Sequence, residues 1–188
     1  SLTSLVAHEL AHSWSGNLVT NATWEDFWLN EGHTVYLERR IMEDLYGPEY
    51  ALMLAELGYQ DLMKTMESLG HDHPDTQLKL NLKDRNPDDG MTDISYEKGY
   101  LLLRTLEEKV GREKFDAFLN HYFETFRFQT LSTEGWETYA QHHLIKPNDV
   151  EIDLAAWLYA PGLPEDHLRV RSAKLRRIDA KLKEFVRI

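Results

Sequence analysis

Residues 8–12 read His8-Glu9-Leu10-Ala11-His12, and Glu31 follows nineteen residues after His12. Helix positions four residues apart differ by about 40° in direction and by ~6 Å in rise. His8 and His12 therefore point to the same side of a helix and can bind one metal ion. Glu9 lies beside them, where a carboxylate can accept a proton from water that the metal activates. The pentapeptide predicts a helix with a catalytic metal site.

A catalytic zinc ion needs a third protein ligand and one open position, and Glu31 is the candidate for that ligand. The sequence has no Cys, so histidines and carboxylates are the available ligands. Glu38 is a rival, because it lies seven residues further along the same helix face. Seven residues correspond to ~10 Å of rise, so Glu31 and Glu38 cannot both bind one ion.

The same pentapeptide also occurs in ordinary helices whose histidines are solvated or capped. Here Ser4-Leu5-Val6-Ala7 and Leu10-Ala11 give the predicted helix an apolar face. We expect this helix to be buried on one side. Two histidines and a glutamate on a buried helix then indicate a functional site.

The 188 residues are 42% hydrophobic and 11% aromatic, which predicts one globular domain with a sizeable core. No segment has the length and apolar character of a membrane span, and none resembles a signal peptide. Because the sequence begins inside a predicted helix, we expect it to be an internal part of a longer protein. We expect that protein to be cytoplasmic.

The net charge of −11 disfavours nucleic acid as a partner. Residues 169–187 are an exception, with eight Lys or Arg and two acidic residues. This helix-patterned tail leaves a nucleic-acid interface open, but it is more typical of a basic surface helix.

The hydrophobic pattern is nearly all helical, so we predict a mainly α fold. Val35, Tyr36, Ile41 and Leu45 form the apolar stripe of the second helix. Pro161-Gly162-Leu163-Pro164 predicts a boundary between residues 1–160 and residues 161–188. A long connection over residues 71–87 includes a short extended segment at 78–82. Helices are predicted at residues 3–14, 28–46, 48–69, 96–110, 112–126, 133–144 and 153–159.

Several motifs resemble those of the zinc aminopeptidases of peptidase family M1, which are gluzincins. The similarity is greatest to the branch that contains leukotriene A-4 hydrolase and aminopeptidase B. The family pattern is H-E-x-x-H, eighteen residues, then E, and this sequence matches that spacing. The matching runs are HELAHSWSGNLVTN (residues 8–21), FWLNEGHTVYLER (27–39), SYEKG (95–99) and AWLYAPGLP (156–164).

The resemblance implies a hydrolase that removes N-terminal residues from peptide substrates with one Zn²⁺ per chain. It selects Glu31 as the third ligand beside His8 and His12, and leaves Glu38 as a supporting acid. It assigns Glu9 as general base and Tyr96, before Glu-Lys-Gly, as the residue that stabilises the oxyanion. Asp88 matches an aspartate that faces the first side chain of the substrate, with a turn residue in Asn86-Pro87-Asp88-Asp89-Gly90 as the alternative.

The family architecture further implies that residues 1–160 are the helical, zinc-binding lobe of a thermolysin-like catalytic domain. Residues 161–188 would be the linker and first helix of a C-terminal helical domain. Upstream β domains of the same parent chain would complete the enzyme. Six further histidines are expected to lie on the surface or in packing contacts: His33, His71, His73, His121, His142 and His143.

Two departures from the family pattern bear on activity. Met91 stands where the leukotriene hydrolase has a second tyrosine, which disfavours the alternative function, epoxide hydrolysis. The amine-binding motif Gly-x-Met-Glu-Asn is absent from these residues, so we expect the isolated chain to be a poor aminopeptidase. A helical interaction domain that keeps the motif without catalysis is a further alternative.

Overall fold

The computed structural model describes residues 1–186, and the predicted mainly α fold class is confirmed. Two short parallel strands, β1 (Val19–Asn21) and β2 (Gln129–Leu131), pair Thr20 with Thr130. No helix within this described range is long and apolar enough to cross a membrane. The helices are α1 (Leu2–Ala11), α2 (Trp28–Tyr46), α3 (Pro48–Leu69), α4 (Gly99–Val110), α5 (Arg112–Thr125), α6 (Thr133–Ala140), α7 (Leu154–Tyr159) and α8 (Ala173–Val186).

Helix α2 is the central element, because α1, α3 and α4 all pack against it. Its end follows from local chemistry. Gly47 takes a positive φ of 84° that side chains disfavour, and Pro48 then occupies the first turn of α3. The predicted boundaries at this junction agree with the structure.

The apolar stripe predicted for α2 is partly wrong. Val35 and Tyr36 are buried, but Leu45 is 55% exposed, and the fully buried Met42 packs inward instead. The core also contains three of the five tryptophans, Trp28, Trp136 and Trp157, while Trp14 and Trp24 are largely exposed.

Two predicted helices contain an irregularity that sequence periodicity does not reveal. A π-helical turn (Ile94–Lys98) precedes α4, and a second one (Gln141–Ile145) follows α6. Such turns insert a residue into the helical repeat and are frequent at functional sites. The first of these two turns carries Tyr96.

The extended segment predicted at residues 78–82 does not form a strand. Its leucines, Leu78, Leu80 and Leu82, are buried. The Lys79 amide donates to the carbonyl of Leu158, and the Leu80 amide donates to that of Glu25. The segment is therefore held by backbone contacts to two separate parts of the chain and pairs with no strand within residues 1–186.

The expectation that α1 is buried along its apolar face is wrong for most of that face. Ala7 and Ala11 are buried against α2, whereas Leu5, Val6 and Leu10 are each more than half exposed. Small alanines allow α1 to approach α2 closely. This close approach brings the histidines of α1 to Glu31 of α2.

Buried Asp26 fixes the entry into α2. Its carboxylate accepts hydrogen bonds from Lys79 Nζ at 2.7 Å and from the amide and hydroxyl of Thr133, each at 2.8 Å. The Thr133 hydroxyl also accepts a hydrogen bond from Trp28 Nε1. Three distant segments thus meet where α2 begins, one turn before Glu31.

Candidate metal centre

The nitrogen and oxygen atoms of His8, His12 and Glu31 converge at one point between α1 and α2. One ligand atom from each residue lies within 4.8 Å of the other two. Glu31 Oε2 lies 3.2 Å from His8 Nε2 and 3.6 Å from His12 Nε2. The structure therefore brings together the three residues that the sequence predicted as ligands. Residues 1–186 contain no second cluster of three such groups.

The Nδ1 atoms of His8 and His12, which point away from the centre, already form hydrogen bonds. His8 Nδ1 donates to Glu38 Oε2 at 3.1 Å, and His12 Nδ1 donates to the carbonyl oxygen of Ser15 at 2.9 Å. These bonds hold Nδ1 of each ring against its acceptor and turn each Nε2 towards the centre, where it can bind a metal ion once it is unprotonated. Metal-binding histidines are typically oriented in this way. Two imidazoles and a carboxylate are also the donor set of catalytic zinc sites, so these residues fit that ion.

The electrostatics of the centre favour a positive charge. Burial alone would lower the pKa of His8, but hydrogen bonds and charge from Glu31 and Glu38 raise this pKa to about 9. Burial likewise opposes ionisation of Glu38, yet hydrogen bonds from His8 and Ser4 lower the pKa of its carboxyl. The carboxylates of Glu31 and Glu38 thus stabilise positive charge at this point, and a bound metal ion would carry such a charge.

Thr34 is a supporting residue that the sequence analysis missed. It lies one turn after Glu31 on α2, and its hydroxyl donates to the Ser15 carbonyl at 3.1 Å. The Ser15 carbonyl is the acceptor that orients His12. Its position three residues after Glu31 could have indicated this role, because helix residues three apart share one face.

Glu9 is exposed on α1, beside His8. Its carboxylate has no hydrogen-bond partner among the described residues, so it is available to a water molecule or a substrate. A general base in a hydrolytic site needs such an accessible carboxylate.

Tyr96 faces the centre from the π-helical turn. Its ring is nearly parallel to the His8 ring, with centroids 6.1 Å apart, and the rings of Tyr96 and Phe27 form a T-shaped pair with centroids 5.9 Å apart. Burial, followed by the charge of Glu31, raises the pKa of Tyr96 to about 12. The hydroxyl therefore stays protonated at neutral pH and can donate a hydrogen bond.

Asp88 is not part of the metal cluster. It is exposed in a 3₁₀ turn (Pro87–Gly90), where its amide donates to Asn86 Oδ1 at 3.1 Å. That turn packs against the turn of residues 24–26, which immediately precedes Phe27. Asp88 thus lies on a neighbouring loop, and its contact with a substrate stays a prediction.

The other predicted histidines lie in packing or surface positions. His33 is buried, accepts a hydrogen bond from Trp136 Nε1 at 3.2 Å, and stacks on Tyr122. Burial lowers the pKa of His33 to about 3, so it is neutral. Exposed positions are found for His71, His73, His121, His142 and His143.

A two-histidine, one-glutamate centre on adjacent helices defines a zinc-peptidase type of site. Comparison with known protein families identifies the type of zinc peptidase more closely. Residues 1–153 match the peptidase family M1 domain. The chain belongs to peptidase family M1.

The relatives of the chain are considerably longer than it is. Leucine aminopeptidase 2 of Aspergillus oryzae is 48% identical over 165 residues, which cover 85% of this chain and 26% of the relative. Leucine aminopeptidase 2 of Emericella nidulans is 47% identical over the same length, with 85% and 27% covered. The chain therefore spans about a quarter of the length of these curated relatives.

Solved structures show the same fold. Native leukotriene A4 hydrolase from Saccharomyces cerevisiae superposes with a TM-score of 0.80 at 42% identity, over 86% of this chain and 26% of that one. An M1 zinc metallopeptidase from Deinococcus radiodurans superposes with a TM-score of 0.68 at 28% identity, over 90% and 35%.

Proposed function

We propose that this chain carries the catalytic zinc centre of an aminopeptidase that removes N-terminal residues from peptides. The observation that carries the proposal is the convergence of His8, His12 and Glu31 within 4.8 Å. Membership of peptidase family M1 and the likeness to leucine aminopeptidases support the reaction class.

One zinc ion would be held by Nε2 of His8, Nε2 of His12 and the carboxylate of Glu31. When bound, this ion supplies a Lewis acid that makes water more acidic and polarises a carbonyl group. Glu38 and the Ser15 carbonyl keep the two imidazoles oriented through their Nδ1 atoms. These contacts restrict rotation of both rings before any ligand arrives.

Glu9 is proposed to accept the proton of the attacking water and to deliver it to the departing amine. Its exposure next to His8 supports this role. Tyr96 is proposed to donate its hydroxyl hydrogen to the oxyanion that develops on the peptide carbonyl. Its protonated state and its position over the His8 ring support that assignment.

The substrate preference is a separate proposal. If Asp88 faces the first side chain of the substrate, its carboxylate would favour basic residues. The relatives are named leucine aminopeptidases, so leucyl substrates belong in any test. A binding site for the free amine, and the other domains of the parent chain, would complete the enzyme.

Epoxide hydrolysis is the second candidate, favoured by the superposition on yeast leukotriene A4 hydrolase. Met91 argues against it, because a thioether has no hydrogen to donate, whereas the phenol of a tyrosine can donate a hydrogen bond. Turnover of a leukotriene epoxide by the full-length protein would support this candidate, and its absence alongside peptide hydrolysis would reject it.

Zinc analysis of the full-length protein, purified with zinc supplied, tests the proposal. The wild type should contain about one zinc per chain from this centre and hydrolyse aminoacyl substrates. His12→Ala should lose most of that zinc and the activity, since two ligands bind zinc far less tightly than three. His142→Ala is the matched control, because His142 is exposed and lies outside the cluster. Unchanged zinc content in His12→Ala would reject the site.

A further inference from the structure

The residue after Tyr96 forms a buried ion pair with the central helix. Arg39 Nη2 donates to Glu97 Oε1 at 2.7 Å, and their side chains are only 8% and 13% exposed. Arg39 belongs to α2, which also supplies Glu31 to the metal cluster and Glu38 to His8. One rigid helix therefore contacts both the metal cluster and the turn that carries Tyr96.

The surroundings leave this pair little freedom. The Arg39 guanidinium lies 4.0 Å above the centre of the Tyr100 ring. Gly58 of α3 provides the remaining space, because a Cβ atom there would lie 2.3 Å from Arg39 Nη2 and 2.4 Å from Glu97 Oε1. Helices α2, α3 and α4 thus enclose the pair together.

A backbone contact fixes the same turn at a second point. A Cβ atom on Gly32 would lie only 2.8 Å from the Cα atom of Gly99. Gly32 follows Glu31, and Gly99 follows the π-helical turn. Gly32 and Arg39 are seven residues apart on α2, about 10 Å along its axis. The turn with Tyr96 is therefore held against α2 at two separate positions.

Stability alone does not explain a buried pair of this kind. The desolvation of two charges often exceeds their attraction, and hydrophobic residues of similar size are commonly as stabilising. Among the described residues, Arg39 Nε and Nη1 are buried and have no hydrogen-bond partner, which adds to the cost. A directional role is the remaining explanation, because a charge pair defines the position of Glu97 more narrowly than apolar packing.

We propose that Arg39 is a positioning residue for Tyr96. By holding Glu97 against α2, it fixes the π-helical turn so that the Tyr96 hydroxyl faces the centre formed by His8, His12 and Glu31. This inference rests on the proposed role of Tyr96. It concerns the geometry of the hydroxyl and leaves zinc binding and substrate binding unchanged.

The test uses the full-length, zinc-loaded protein with Arg39→Lys and the double variant Arg39→Met with Glu97→Gln. The first keeps the charge and shortens the reach, and the second removes both charges without leaving one unpaired. We expect kcat to fall roughly 10- to 100-fold, as for a displacement of about 1 Å in an active site. KM should change less than about threefold, since substrate binding does not use the Tyr96 hydroxyl. Zinc content should stay the same, and Arg39→Lys should retain more activity than the double variant.

The decisive comparison repeats each variant in a Tyr96→Phe background. If Arg39 acts through the Tyr96 hydroxyl, its replacement should then have almost no further effect on kcat, because effects on one shared group are not additive. A general structural defect would lower kcat equally in both backgrounds. Arg40→Met is the matched control: Arg40 is the next residue of α2 and pairs with Asp116 on α5.

The possible results separate the two proposals. Wild-type kcat in the folded double variant, or an equal loss in the Tyr96→Phe background, overturns the role of Arg39 and leaves that of Tyr96 standing. A Tyr96→Phe protein with wild-type kcat rejects the role of Tyr96, and the role of Arg39 falls with it. If the double variant does not fold, the Arg39→Lys comparison in the two backgrounds decides the question by the same criteria.

Discussion

Glu38 accepts a hydrogen bond from His8 Nδ1 at 3.1 Å, while Nε2 of the same ring lies 3.2 Å from Glu31. Glu38 thus orients the His8 ring through Nδ1, the ring nitrogen on the side away from Glu31. Replacing such an acceptor typically weakens metal binding by ~10- to 100-fold. We predict a loss of this size for Glu38→Met, which removes the acceptor and keeps a similar side-chain length, measured by competition with a zinc chelator. Glu43→Met is the control, since Glu43 pairs with Arg112 instead. Equal zinc affinities in the two variants would contradict the orienting role.

Tyr96→Phe should lower kcat by about 100-fold or more and change KM little. The hydroxyl is proposed to contact the oxyanion, which exists only in the transition state, and losing one such donor typically has this effect. Steady-state kinetics of the full-length protein provide the measurement, with Tyr46→Phe as a surface control. A higher KM with unchanged kcat would instead make Tyr96 a substrate-binding residue.

Asp88→Asn should reduce the preference for arginyl over leucyl substrates if Asp88 faces the first side chain. The change removes one negative charge and keeps the size of the residue. The ratio of the two kcat/KM values measures the effect, and the neighbouring exposed Asp89→Asn serves as control. An identical ratio in wild type and Asp88→Asn would remove Asp88 from the substrate pocket and leave it as a turn residue.

Lys98 should make stability depend on pH. It is fully buried, donates to the carbonyls of Thr76 and Ala160, and has no carboxylate within 4.0 Å in the described part of the chain. Burial lowers its pKa from the ordinary 10.5 to about 7. Between these values the unfolded chain binds the extra proton, so the contribution of Lys98 to the free energy of unfolding rises with pH.

Urea unfolding of the full-length protein between pH 7 and pH 10 tests this effect. Lys98→Met removes the titrating group. As pH rises, the free energy of unfolding of the wild type should therefore increase relative to that of the variant. The surface variant Lys64→Met provides the control, because Lys64 is exposed. A difference that stays constant over this pH range would show that Lys98 titrates normally.

Local sequence rules predicted which three side chains converge at the candidate metal centre, because their key relationships are local. The four-residue spacing of His8 and His12 determines their direction on any helix. The position of Glu31 needed only the start of α2 and the family spacing. The same reasoning anticipated that Glu38 would support the site, since it lies two turns away on the same face.

Features that depend on tertiary contacts were not predictable in this way. The pairing of Arg39 with Glu97 joins residues 58 positions apart and depends on the space left by Gly58. The π-helical turn that carries Tyr96 cannot be recognised from the hydrophobic pattern of the sequence. Leu5 and Leu10 had the expected apolar character, yet hydrophobicity alone does not identify which surface covers a residue.

Glu9→Gln tests the central claim most directly, since this change keeps the shape of the side chain but removes its ability to accept a proton. The test measures zinc content and peptide turnover on the same full-length preparation. Glu67→Gln is the control, because Glu67 is exposed on α3. The expected result is unchanged zinc and a loss in kcat of ~10²- to 10⁴-fold. Near-normal turnover by a zinc-loaded Glu9→Gln protein would contradict the proposed mechanism.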